Sequence, residues 1–200
     1  MKKGLIALFL IALLASCSKE IKRTADISGM DIDFHIQRFD SSFWFLDTVD
    51  LQKSMTLLSV QYPEMGKIYT EYVMRMGSIG SDTAATEYRN FRKYPAVVKV
   101  YESTLEEYSD LSDIEKELEP ALLRLQVFMP QIAIPRFYTH ISFFNQNIIV
   151  GEGFISLSLD NYMGPDYCYY DSVAIHQYLR PNMRREKITS DYLTAILASE

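Results

Sequence analysis

Two hundred residues at 48% apolar content, with 14 Tyr and 11 Phe, are enough for one packed globular unit and argue against a disordered chain. The formal charge is −6 and no basic run of any length occurs. That pattern argues against nucleic acid as a partner and against polybasic attachment to a membrane.

The chain opens on Lys2-Lys3, continues into the apolar stretch Leu5–Leu14 and reaches Ala15-Ser16-Cys17. A positive start, a short apolar segment and small residues before a cut make a secretory signal. The apolar stretch is far shorter than the roughly 20 residues a bilayer-spanning helix needs. Leu14-Ala15-Ser16-Cys17 resembles the bacterial lipobox, in which the Cys is acylated and becomes the first mature residue. Residues 1–16 therefore read as a lipoprotein signal peptide, and Cys17 as the lipidation site whose acyl chains supply the membrane contact. Losing Lys2 and Lys3 with the signal takes the charge from −6 to −8. Each buried methylene contributes about 0.8 kcal/mol, so several acyl chains on one Cys hold where one does not. Residues 17–30 are polar without a period and read as a tether, leaving 31–200 as a single domain. Cys168 is then without an intramolecular partner. It reads as a small packed side chain among tyrosines, or as a thiol activated by His176.

Asp31–Asp40 alternates polar and apolar, with Ile32, Phe34 and Ile36 on one face, and predicts a short strand. Helices follow. Asp50 caps one over Leu51–Gln61, and Pro63 opens another through Met65, Ile68, Tyr69, Tyr72, Val73 and Met76, stopped by Gly77. Two more are predicted near Asp82–Lys93 and over Ala96–Tyr108. Ser112 and Glu115 form a capping-box pattern for a helix carrying Leu118, Leu122, Leu125 and Phe128, closed by Pro130. Pro120 inside that stretch predicts a kink or a break. Arg136–Phe144 and Ile148–Leu159 read as a β-hairpin joined through Asn145-Gln146-Asn147, with Gly151 and Gly153 marking a bulge. A loop over Asn161–Asp171 turns at Gly164-Pro165, and a helix is predicted over Ser172–Leu179. Thr189 or Ser190 caps a last helix with Tyr192, Leu193, Ile196 and Leu197 as its apolar face. That helix runs off the end at Ala198-Ser199-Glu200 with no stop signal, which suggests a domain incomplete at its C-terminus. The fold class is α+β, mainly helical with a small antiparallel hairpin or sheet.

No phosphate loop, Gly-x-Ser-x-Gly, Cys-x-x-Cys or His-Glu-x-x-His is present, so no catalytic residue, metal site or cofactor is assigned. His35, His140 and His176 fall on different elements. His140 in a strand and His176 on a helix read as hydrogen-bonded structural residues rather than metal ligands. The candidate functional loop runs from Asp160 through Tyr162, Gly164 and Tyr167. Asp160 ends a buried strand, where loops often carry function, but an Asp there also caps a turn through its own backbone. Tyr162, Tyr167, Tyr169 and Tyr170 are either an aromatic platform for a glycan or partner, or loop aromatics folded onto the hairpin.

The order of motifs is similar to that of the GldB gliding-motility lipoprotein family of Bacteroidetes. It comprises the lipobox, Ile36-Gln37-Arg38-Phe39-Asp40, Tyr62-Pro63, Phe128-Met129-Pro130 with Ile134-Pro135, and Ser158-Leu159-Asp160-Asn161-Tyr162-Met163-Gly164. The resemblance covers residues 17–200 and implies a chain lacking the family's C-terminal third. It also implies a non-catalytic component of a gliding-motility or envelope assembly with an envelope protein partner. Ser18-Lys19 after the lipid Cys gives no run of acids, which points to the periplasmic face. The arrangement also resembles the start of zincin-like metalloproteases, with Ser199 and Glu200 at the His-Glu position. Serine there would remove a zinc ligand, implying a degenerate site. A degenerate or active zincin-like metallopeptidase is the alternative function, and a glycan-binding envelope lipoprotein the second.

Overall fold

A computed structural model of the chain describes residues 25–199. The signal peptide, Cys17, the first part of the tether and Glu200 lie outside the described residues. Strand β1 (Ile36–Arg38) opens the fold, shorter than the alternation from Asp31 to Asp40 predicts. Six helices follow: α1 (Phe39–Trp44), α2 (Leu51–Gln61), α3 (Pro63–Ile68), α4 (Asp82–Phe91), α5 (Pro95–Glu107) and α6 (Ser112–Phe128). Asp50 caps α2 by accepting from the Lys53 N–H at 3.3 Å, as its position predicts. Ser81 caps α4 through Ala84 N–H at 3.1 Å. Pro63 and Pro95 each stand at a helix start, where a missing N–H costs nothing. After α3 the helix widens into a π-helical turn (Tyr69–Val73), with Met74 N–H bonded to the Tyr69 carbonyl at 2.8 Å.

The capping box at Ser112 does not form. Ser112 is already helical and its hydroxyl bonds to Asp110 at 2.9 Å, while Glu115 accepts from Ile36 N–H of β1 at 2.9 Å. A contact to a distant strand outcompetes the local cap. Pro120 does not break α6 either. The carbonyl that loses its donor belongs to Lys116, an exposed residue on the solvent side of the helix.

The sheet differs most from its predicted form. Strands β2 (Arg136–His140), β3 (Ile148–Gly151) and β4 (Phe154–Ser158) join β1 in the order β1-β2-β4-β3. β1 pairs with β2 and β2 with β4, both in parallel, and only β3 is antiparallel to its neighbour. The hairpin is thus β3–β4, turning at Glu152-Gly153 with Gly153 at φ +68°, and Asn145-Gln146-Asn147 belongs to a crossover. Gly151 is no bulge: it pairs with Phe154, and a Cβ on it would overlap the Phe154 ring.

Phe137, Ile155 and Leu157 face α6 and the last helix, α8 (Ile188–Ala198), through Leu118, Leu122, Ile188 and Tyr192. Tyr138, Ile149 and Phe154 point the other way into a core built from α1 to α4. All five residues of β4 are buried, as expected for a strand covered on both faces. Each fully buried Phe or Leu contributes about 1.5–3 kcal/mol. A third cluster, Trp44, Val97, Val100, Tyr101 and Ile141, closes over the sheet beyond the end of β2.

Two C-terminal expectations also change. The helix over Ser172–Leu179 is only the single turn α7 (Tyr169–Ser172), and His176 lies in the turns after it with its ring stacked on Tyr178. Arg180 pulls the chain back by donating to the Ile175 carbonyl at 2.8 Å and pairing with Asp171, which a continuing helix would prevent. α8 begins at Ile188 without a side-chain cap; Thr189 donates to Glu117 instead, at 3.1 Å.

Candidate functional site

Because β1, β2 and β4 are parallel, their C-terminal ends lie along one edge of the sheet. In open sheets with parallel strands this is the edge that binds ligands. The chain places Asp40 two residues beyond β1, His140 at the end of β2 and Asp160 two residues beyond β4. All three are buried.

Asp160 has no exposed surface. One carboxylate oxygen accepts from the Ser158 hydroxyl and faces Ser142 N–H at 3.4 Å; the other accepts from Phe144 N–H at 2.6 Å. Burial pushes its pKa up, and the Ser158, Phe144 and Ser142 hydrogen bonds pull it back. The carboxylate does not cap only its own turn. It holds the segment after β2, where Phe143 and Phe144 take φ values of +55° and +63°, a conformation costly for aromatic residues. Asn145 ties the same segment to the π-helical turn by donating to the Val73 carbonyl at 2.6 Å.

His140 sits behind this group, with Nδ1 2.8 Å from the Ser156 hydroxyl and Nε2 3.1 Å from the Gln146 carbonyl. Asp40 accepts from the Thr139 hydroxyl and from a forked Arg38 guanidinium, whose nearest nitrogen is at 2.7 Å. Arg38 also donates to the Tyr108 carbonyl, which fixes the end of α5 against β1. Asp40, His140 and Asp160 are each engaged by hydrogen bonds and buried, and Arg38 is partly exposed. The arrangement holds backbone in place.

Tyr162 is buried, donates to Asp191 at 2.7 Å, and has its hydroxyl pKa raised by burial. Gly164, at φ +92°, lets the chain turn, and its N–H bonds to the Met183 carbonyl at 2.9 Å. Tyr167 is half-buried with its hydroxyl 2.7 Å from that of Ser103. Tyr170 is buried and donates to the Asp160 carbonyl at 3.1 Å, so the loop is tied back to the strand end. Of the four tyrosines read as a platform, Tyr162 and Tyr170 face inward, and Tyr167 and Tyr170 pack with Phe144. Cys168 is exposed, not packed. Ser199 follows α8 beside Val150 and Gly151 of β3, and Glu200 lies outside the described residues.

The sequence reading missed Asp40, Ser142 and Phe144 as partners of this cluster. One signal was available: Ser156 and Ser158 alternate with Leu157 and Leu159 in a strand predicted to be buried, and buried hydroxyls need partners.

These features define an α+β domain whose parallel strand ends are sealed by helices. Among the described residues, no group of three His, Cys, Asp or Glu side chains is placed to hold a metal, and no helix is long and apolar enough to cross a membrane. Residues 20–200 match the family model described as gliding motility protein GldB, and the chain belongs to that family. No curated protein and no solved structure matches the chain.

Proposed function

We propose that this is a lipid-anchored cell-envelope protein that serves a gliding-motility or envelope assembly without catalysis of its own. Membership of the gliding motility protein GldB family over residues 20–200 is the observation that carries this reading. The Leu14-Ala15-Ser16-Cys17 pattern supports acylation of Cys17, with residues 17–30 as the tether and 31–200 as the working domain. The domain then faces the periplasm and engages an envelope protein. The complete engagement of Asp40, His140 and Asp160 supports a scaffolding role, since a general acid or base must reach its substrate.

The test is made in the native bacterium with Cys17→Ser expressed at wild-type level. Wild-type protein carries acyl mass on Cys17 and sediments with membranes. The variant loses both, and surface spreading falls with them. An unmodified Cys17 in the native protein would overturn the anchor. Stoichiometric zinc with zinc-dependent peptide cleavage would overturn the non-catalytic role and favour the metallopeptidase alternative.

A further inference from the structure

A cleft of about 570 Å³ separates the segment after α1 from the end of α4. Arg89, Arg92 and Lys93 line it together with Phe45, Leu46 and Thr48, and no acidic residue does. In a chain of formal charge −6 this is a local concentration of positive charge, with Asp47 as the carboxylate of the same segment outside the lining. None of the three cations is paired with a carboxylate among the described residues. The neighbouring cleft across Lys93 contains Arg75 but also Glu87, so it lacks the same one-sided character.

The three cations are not equivalent. Arg92 is built into the wall: its guanidinium lies 3.9 Å from the centre of the Trp44 ring and donates to the Trp44 carbonyl at 2.6 Å. That fixes one cation and leaves its remaining N–H groups for a ligand. Arg89 and Lys93 are exposed; Arg89 lies in the last turn of α4 and Lys93 two residues past its end. The C-terminal end of a helix carries roughly half a negative charge, which offsets only part of one cation. About two and a half positive charges remain unanswered. A single carboxylate would leave more than one of them over, whereas a phosphate monoester carries about −1.5 to −2 charges and three acceptor oxygens.

We propose that this cleft binds a phosphate monoester carried on a larger body. Guanidinium forks hold the phosphate oxygens, Lys93 adds a point charge, and the Thr48 hydroxyl contributes a further donor. The body attached to the phosphate lies against Phe45, a lining residue that is 71% exposed. A phosphorylated saccharide and a phospholipid headgroup both present this chemistry.

Titration calorimetry on the full-length protein in detergent, at low salt, tests the assignment. The probes are inorganic phosphate, glucose 6-phosphate and dihexanoyl phosphatidic acid, with acetate and dihexanoyl phosphatidylcholine as controls. The phosphate monoesters should bind and weaken as salt rises, because the charges are solvent-accessible. Tighter binding of the sugar phosphate identifies a saccharide source, and tighter binding of phosphatidic acid a lipid source. In the double variant Arg89→Gln, Lys93→Gln the affinity should fall at least tenfold while the urea midpoint stays at its wild-type value. Arg92 is left intact because it also supports Trp44. Acetate binding as tightly as the monoesters, equal binding of phosphatidylcholine, or an undiminished response in the double variant would each overturn the proposal.

Discussion

His140 shows how one buried side chain sets a pH dependence for the whole fold. Its Nε2 faces a carbonyl, which only accepts, so that nitrogen carries the proton and Nδ1 accepts from Ser156. Burial pushes the ring's pKa down to about 4 from the ordinary 6.5. The unfolded chain takes up a proton below pH 6.5 that the folded chain refuses until about pH 4. Stability therefore falls as pH drops through that window, on the order of 3 kcal/mol across it, and levels off below. Asp160 acts with the opposite sign: its folded pKa is raised, so its contribution is present at low pH and weakens as pH rises above 3.8. Urea unfolding at several pH values separates the two. His140→Gln should be less stable than wild type at pH 7 yet show a flatter profile between pH 4 and 6.5. An unchanged slope would mean that another group titrates there. The structural role of His140 was legible from a lone His in a strand. Asp160 was legible as a strand-end acid but not as the holder of Phe144, because two aromatic residues at positive φ leave no mark in composition or spacing.

At the scale of elements, Pro120 is the residue whose replacement the structure predicts most directly. In a helix interior Pro is less favourable than Ala by about 3 kcal/mol, through the lost donor and the clash with the preceding turn. Here α6 runs unbroken past it and the orphaned Lys116 carbonyl is on the exposed side. Pro120→Ala should restore that bond and raise the stability by about 1–2 kcal/mol, visible as a higher melting temperature. A lower one would show that the half-buried ring contributes packing that Ala does not replace. Most helices were legible because their signals are local: Asp50, Pro63 and the apolar spacing through Met76 all lie within a few residues of what they determine. The sheet was not. Alternation in Phe137–His140 and Phe154–Ser158 identifies strands but says nothing of which strand lies beside which, and pairing across the crossover is decided by burial on both faces. The Glu152-Gly153 turn sat inside what reads as one continuous strand, since Val150 and Phe154 keep the apolar run going through it.

Across the whole molecule, β2 is the member that every layer grips by a hydroxyl. Tyr192 of α8 donates to the Tyr138 carbonyl at 2.7 Å from one side of the sheet. On the same face, Asp40 at the start of α1 accepts from Thr139. Just past the strand, Tyr101 of α5 donates to the Ile141 carbonyl at 2.8 Å, and Tyr69 of the π-helical turn reaches the same oxygen and the Tyr101 hydroxyl. The three core clusters thereby meet at the end of one strand, and the Tyr69–Tyr101 contact also joins two of them directly. Burial raises the pKa of all three tyrosines, so these hydroxyls stay protonated as donors. The shared carbonyl makes a non-additive prediction. Tyr69→Phe or Tyr101→Phe alone leaves Ile141 with one donor and should cost under about 1 kcal/mol. The double variant strands a buried carbonyl, which costs about 1–3 kcal/mol in itself, so it should lose more than the sum of the two. Tyr192→Phe combined with Tyr101→Phe removes donors from two different carbonyls and should add within about 0.5 kcal/mol. Urea unfolding of the wild type, the two single variants and the double variant at each pair gives both coupling energies. Additivity at the Tyr69–Tyr101 pair would mean that the two hydroxyls do not back each other up, and that the junction between the π-helical turn, α5 and β2 rests on apolar packing alone.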